Sequence, residues 1–259
     1  MNSPPAGQPH GVGSDKGERV ARRALVTGSS GGIGGAIALR LGQAGHHVVC
    51  HASGSLAKAQ AVADAIAAAG GSAQAIAFDV TDAAATAAAC EALLRDGPIQ
   101  ILVNNAGVHD DAVFPGMSAA QWARVIDVNL NGFFNVTQPL TLPMLRTRWG
   151  RIISLSSIAA VMGNRGQVNY AAAKAALHGA TRSLSLELAS RGVTVNCVAP
   201  GIITSAMSAQ VFDQTAIERM VPMKRAGRAD EVAALVGFLV SDEAAYISGQ
   251  VISINGAMA

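Results

Sequence analysis

The sequence predicts an α/β protein built on one doubly wound parallel sheet of about seven strands, with helices on both faces and a single domain. Three observations predict it. Short apolar runs alternate with segments of helical period from residue 23 to the C-terminus. The first run ends in a glycine-rich turn that opens the first helix, the arrangement of a nucleotide-binding βα unit. Hydrophobic residues make up 50% of the chain and charged ones 14%, with 28 glycines against 9 prolines, a composition suited to buried strands joined by tight turns.

In chain order, Arg23–Thr27 is an apolar run stopped by Gly28, after which Ile33, Ile37 and Leu41 recur at helical spacing up to Gly45. A second strand is predicted over His47–His51, then an alanine-rich helix over Leu56–Ala69 ended by Gly70 and Gly71. The alternation continues with strand Ala73–Phe78, helix Asp82–Arg95 and strand Ile99–Val103. A long helix is expected over Gln121–Leu145, bent or interrupted at Pro139 and Pro143, where the backbone lacks a donor. Strand Arg151–Leu155, a helix carrying Tyr170, strand Val193–Val198, an irregular span through Pro222, helix Asp230–Leu239 and strand Gln250–Ile254 complete the chain. Helices between short apolar strands imply parallel pairing through right-handed crossovers.

At 259 residues the chain suits one domain, expected over residues 21–259, preceded by a floppy tail at residues 1–20. That tail is rich in Pro, Gly and Ser and lacks the apolar core of a signal peptide, and no apolar run is long enough for a bilayer, so a cytoplasmic protein without membrane contact is expected. A net charge of +2 without a basic block argues against nucleic acid. Cys50, Cys90 and Cys197 are too few and too scattered for a disulfide framework or a zinc site, and the six histidines show no ligand spacing, so no metal is proposed.

Two stretches carry chemistry. In Thr27–Gly34, Gly28, Gly31, Gly32 and Gly34 let the backbone turn sharply at a helix start, where exposed N–H groups favour anionic oxygens. Further on, Tyr170 and Lys174 stand four apart on one helix face. An ammonium about 4 Å from a phenol at an effective dielectric of ~20 favours the phenolate by roughly 4 kcal/mol, enough to bring proton exchange towards neutral pH.

The turn, Asn104-Asn105-Ala106-Gly107, Asn129, Ser157, Tyr170 with Lys174, and Pro200-Gly201 stand in an order that resembles the short-chain dehydrogenase/reductases over roughly residues 22–259. Within them, Gly150–Ile153, Gly163–Gln167 and the ending Ile247–Ile252 are similar to bacterial 3-oxoacyl-[acyl-carrier-protein] reductases. The resemblance implies a Rossmann-type fold and an NAD(P)(H)-dependent oxidoreductase. It assigns Tyr170 as proton donor to a carbonyl, Ser157 as holder of its oxygen, Lys174 as ribose ligand and electrostatic bias, and Asn129 as holder of a relay water.

For the cofactor it implies the phosphate-turn residues Gly28, Ser30, Gly31, Gly32, Ile33 and Gly34, then Asp79 and Val80 at adenine. Asn105, Ala106 and Gly107 would line the trough, and Pro200, Gly201, Ile203 and Ser205 would stand at the carboxamide. NAD-preferring relatives end the second strand with an aspartate; here the residue is Ala52, which points to NADPH over NADH. Gly31 occupies the place of an arginine common in this group, so His51, Ser53 and backbone N–H groups are expected to receive the 2′-phosphate.

The resemblance also implies an acyl carrier protein as partner, with Arg148 and Arg191 as docking residues near Arg146 and Arg151, a homotetramer, and a lid over Ile203–Met223 carrying Met207, Val211, Phe212 and Met220. The leading function is NADPH-dependent reduction of a 3-oxoacyl thioester. A short-chain dehydrogenase for a free alcohol or ketone (steroid, sugar or quinone) and a non-catalytic dinucleotide-binding regulator are the competing readings.

Overall fold

Runs of aliphatic residues whose side chains are almost wholly buried make the central strands. In the computed structural model, which describes residues 21–204 and 213–259, β1 (Arg23–Val26), β2 (His47–Ala52), β3 (Ser72–Ala77), β4 (Ile101–Asn104), β5 (Gly150–Leu155), β6 (Val193–Pro200) and β7 (Val251–Ile254) form one sheet. The expected tail at residues 1–20 lies outside the described residues.

All pairings are parallel, in the order β3-β2-β1-β4-β5-β6-β7. Strand order reverses between β1 and β4, where Val26 pairs with Val103, so the chains leaving these two strands diverge and open a crevice at their C-terminal ends. Helices α1 (Gly32–Gln43), α2 (Leu56–Ala68) and a late helix at Ala229–Leu239 cover one face with Ile37, Leu41, Ile66, Val232 and Val236. Helices α3 (Ala83–Arg95), α5 (Gly132–Arg146) and α7 (Val168–Leu188) cover the other with Cys90, Leu93, Val136, Leu140 and Leu188. Helices α4 (Ala119–Ile126) and α6 (Ala159–Met162) follow β4 and β5 in the chain and pack against α7.

The fold departs from the sequence expectation in three places. The long helix starts earlier, at Ala119, behind a Ser118–Gln121 capping box, and is distorted before its prolines by a π-helical turn at Asp127–Asn131. Pro139 and Pro143 sit inside α5 without ending it. The span expected to be irregular contains the short helix α8 (Gln214–Met220), begun by the Asp213 side chain accepting from Ala216 N–H; the late helix is therefore α9.

Candidate active site

The crevice between β1 and β4 holds a cavity of about 680 Å³. Thr27 organises its floor. Its hydroxyl oxygen accepts from the N–H groups of Asn105 (3.0 Å) and Ala106 (2.9 Å), while Asn105 Nδ2 donates to the carbonyls of Thr27 (2.9 Å) and Gly28 (3.0 Å). The turn after β1 is thus tied to the loop after β4. Gly28 needs φ +63°, and a Cβ there would stand 2.9 Å from Ala106 Cα, so both backbone shape and close approach demand glycine.

Most residues expected at a dinucleotide line this cavity: Gly28, Ser30, Gly31, Gly32, Ile33, Gly34, Ser53, Asp79, Val80, Asn105, Ala106, Gly107 and Ile203. A Cβ on Gly31 or Gly32 would meet nothing within 4 Å, which leaves the backbone at the start of α1 open to an anionic group. Asp79 is exposed and braced by Thr81, whose N–H and hydroxyl donate to it at 2.9 and 2.8 Å. Ala52 ends β2 and is buried; it does not line the cavity, although its neighbours His51 and Ser53 do. Pro200 ends β6, and Gly201 N–H donates to the Ile254 carbonyl at 2.9 Å. Ser205, Met207, Val211 and Phe212 lie outside the described residues, so of the expected lid only its two ends, including exposed Met220 and Met223, are placed.

Beyond Gly107 the four polar residues of the proton-transfer assignment come together. Ser157 follows β5 and its hydroxyl accepts from Ala159 N–H at 3.2 Å. Tyr170 stands in the first turn of α7, which Asn169 anchors by donating to the carbonyls of Asp110 (3.0 Å) and Gln121 (3.2 Å) and accepting from Tyr170 N–H (2.8 Å). Lys174 is buried; its ammonium donates to the Leu155 carbonyl at 2.8 Å and lies 5.7 Å from the Tyr170 ring centroid. The π-helical turn carries Asn129, whose amide donates to the carbonyls of Val108 (2.7 Å) and Val125 (2.8 Å) while its oxygen is buried without a protein partner.

The electrostatics differ from the sequence expectation. Burial raises the Tyr170 phenol above its usual value, the Ser157 hydroxyl bond pulls it partly back and Asp111 adds to the rise, so the phenol holds its proton in this state. Burial also lowers Lys174 to about 8. The lysine ammonium is engaged with the Leu155 carbonyl, and desolvation is the largest influence on both groups.

Two further expectations are corrected. His51 lines the cavity, but its ring is fully buried and both nitrogens are engaged within the fold, so it is not free to receive a 2′-phosphate. Arg151 is 2% exposed, stacked 4.2 Å over Trp149 and paired with Asp242 at 3.3 Å, so it offers nothing to a partner surface. Arg146, Arg148 and Arg191 are exposed, but they precede β5 and β6, at the strand ends opposite Ser157; β5 alone spans about 20 Å.

Val108, Val128 and Arg124 also line the cavity and escaped sequence reasoning. Val108 simply extends the Asn104–Gly107 stretch. Arg124, paired with Asp110 at 3.1 Å, has no local signal, because only the packing of α4 over the crevice brings it there.

A family model described as short chain dehydrogenase matches residues 22–216. The chain is 44% identical over 239 residues to the 3-oxoacyl-[acyl-carrier-protein] reductase of Aggregatibacter actinomycetemcomitans, covering 90% of this chain and 98% of that one. It is 44% identical over 243 residues to the enzyme of the same name from Staphylococcus aureus, with 93% and 99% covered. For the one from Pseudomonas aeruginosa the identity is 42% over 238 residues, with 91% and 96% covered.

Proposed function

The chain belongs to the short-chain dehydrogenase family, and from that premise we propose that this oxidoreductase reduces a 3-oxoacyl thioester on acyl carrier protein to the 3-hydroxyacyl form, with NADPH as coenzyme. The relatives that match nearly end to end bear the name of that reaction. The single observation that carries the reading is the Ser157 hydroxyl against the Tyr170 phenol, one helical turn from buried Lys174, whose ammonium lies just behind Gly107 of the glycine-turned cavity.

The cavity suits a dinucleotide: an open backbone at a helix start for phosphates, Asp79 and Val80 for adenine, and Gly107 beside Lys174 for the nicotinamide ribose. When bound, the reduced nicotinamide supplies a hydride to the substrate carbonyl carbon. Ser157 holds the carbonyl oxygen and Tyr170, still protonated, delivers its proton there. Lys174 stabilises the resulting phenolate, and Asn129, through its unpartnered oxygen, holds the water that passes a proton back. Ala52 presents no carboxylate to a 2′-phosphate, and exposed Ser30 and Ser53 with nearby backbone N–H groups receive it in place of an arginine.

The protein works in the cytoplasm as a homotetramer of the domain at residues 21–259. Phe134 and Leu142 on α5 and Leu186 on α7, 63%, 58% and 83% exposed, form apolar faces for subunit contact. Because Arg148 and Arg191 lie at the far strand ends, a carrier held by them would serve the site of a neighbouring subunit.

The deciding assay follows NADPH oxidation with an acetoacetyl thioester on carrier protein against a panel of free ketones. Preference for the carrier-bound thioester is expected; preference for a free ketone would move the reading to the alcohol/ketone alternative.

A further inference from the structure

His51, the penultimate residue of β2, is fully buried and touches two segments far apart in the chain. Gly28 N–H donates to its Nδ1 at 3.0 Å, and its Nε2 lies 2.8 Å from the Phe78 carbonyl. A backbone N–H only donates, so Nδ1 is bare; a carbonyl only accepts, so Nε2 carries the ring hydrogen. These neighbours define one neutral tautomer. The backbone of His51 is engaged by the same turn: Ser29 N–H donates to its carbonyl at 2.9 Å, and its own N–H donates to Ser29 Oγ at 2.8 Å. The ring also packs on Phe78, with centroids 4.1 Å apart.

Both ends of this bridge matter to the cavity. Gly28 opens the phosphate turn, and Phe78 directly precedes Asp79 and Val80 on the opposite wall. We propose that His51 is a positioning residue for the dinucleotide, one neutral ring setting the phosphate turn and the adenine side at the spacing the coenzyme bridges. The proposal rests on the dinucleotide reading of the cavity. Removing the ring would leave a part-buried N–H and a buried carbonyl without this partner and free the two segments to shift.

The surroundings favour the neutral ring. Burial lowers the tendency of His51 to take a proton, while the Phe78 carbonyl and the Asp79 carboxylate pull the other way. A second proton would have to sit on Nδ1, facing the Gly28 N–H. On β2 the adjacent Cys50 thiol, raised to about 11 by burial, is uncharged, and the turn from Thr27 to Gly34 contains no charged side chain.

Full-length His51→Phe, His51→Asn and His51→Gln are compared with wild type by NADPH titration, steady-state kinetics and thermal melting. Phenylalanine keeps the ring and loses both bonds. Asparagine places an acceptor near Nδ1 for Gly28, and glutamine a donor near Nε2 for Phe78, so each restores half. The Kd for NADPH should rise at least about tenfold in His51→Phe and less in the other two, with kcat at saturating NADPH moving much less. A lowered melting temperature with unchanged Kd would reduce His51 to a structural residue and overturn the proposal. Ring ¹⁵N shifts of the wild type, read without coenzyme, should show Nε2–H and bare Nδ1 at pH 7; an Nδ1–H tautomer or a charged ring would also overturn it, even where His51→Phe does not fold. Absence of NADPH binding by the wild type would instead strike the dinucleotide reading, leaving the ring assignment to be judged by the ¹⁵N spectrum.

Discussion

Asn129 and Lys174 converge on Gly107: a Cβ there would stand 2.6 Å from Asn129 Oδ1 and 3.1 Å from Lys174 Nζ. The π-helical turn delivers the first and α7 the second, and Gly107, from the loop after β4, is the floor they share. Gly107→Ala must therefore push aside a buried amide and a buried ammonium at once. Overpacking of this kind costs about 1–3 kcal/mol, so kcat/KM for reduction should fall at least about fivefold. Wild-type kinetics in that variant would show that the two side chains yield freely.

Tyr170→Phe removes the transferable proton while keeping the ring packed. Turnover should fall at least ~100-fold, the low end for general acid catalysis, with NADPH affinity nearly unchanged in a binding titration. Near wild-type turnover would defeat the assignment of the proton donor.

Lys174 links activity to pH. Its folded pKa of about 8 stands below the ordinary 10.5, so the charge that steadies the phenolate is lost as pH rises through about 8, and kcat/KM for reduction should fall along that limb. Lys174→Arg, which stays charged, should move the limb upward in a pH–rate profile. For stability the sign is opposite: the unfolded state binds the extra proton between those two values, so the burial penalty is present in full below about pH 8 and fades as pH rises towards 10.5. Lys174→Met should accordingly melt higher than wild type at pH 7 while losing turnover.

Arg148→Glu with Arg191→Glu tests the carrier surface. Neither arginine is near Ser157 within one chain, so reduction of a small thioester or ketone should be unchanged, while kcat/KM for the carrier-bound substrate should drop about thirtyfold, the equivalent of ~2 kcal/mol. The defect should shrink with added salt, which screens such charges over ~10 Å at 0.1 M. Equal loss on both substrates would point to damaged assembly instead.

The alternation of strand and helix, the parallel sheet and the glycine turn after Val26 were legible in the sequence, because buried aliphatic runs, helical periodicity and glycine at a positive φ are local consequences of residue type. The order of Ser157, Tyr170 and Lys174 was legible too, and the structure brings them together. What the chain alone could not decide was approach between distant segments. His51 looked like a phosphate ligand until β2 packed its ring between Gly28 and Phe78. Arg151 looked like partner surface until Trp149 and Asp242 closed over it. The phenol of Tyr170 looked acidified by a neighbouring charge until burial of both groups reversed the balance. In each case the side chain was plain from the sequence, but its partners and its distance from water, which set its chemistry, exist only once the sheet is assembled.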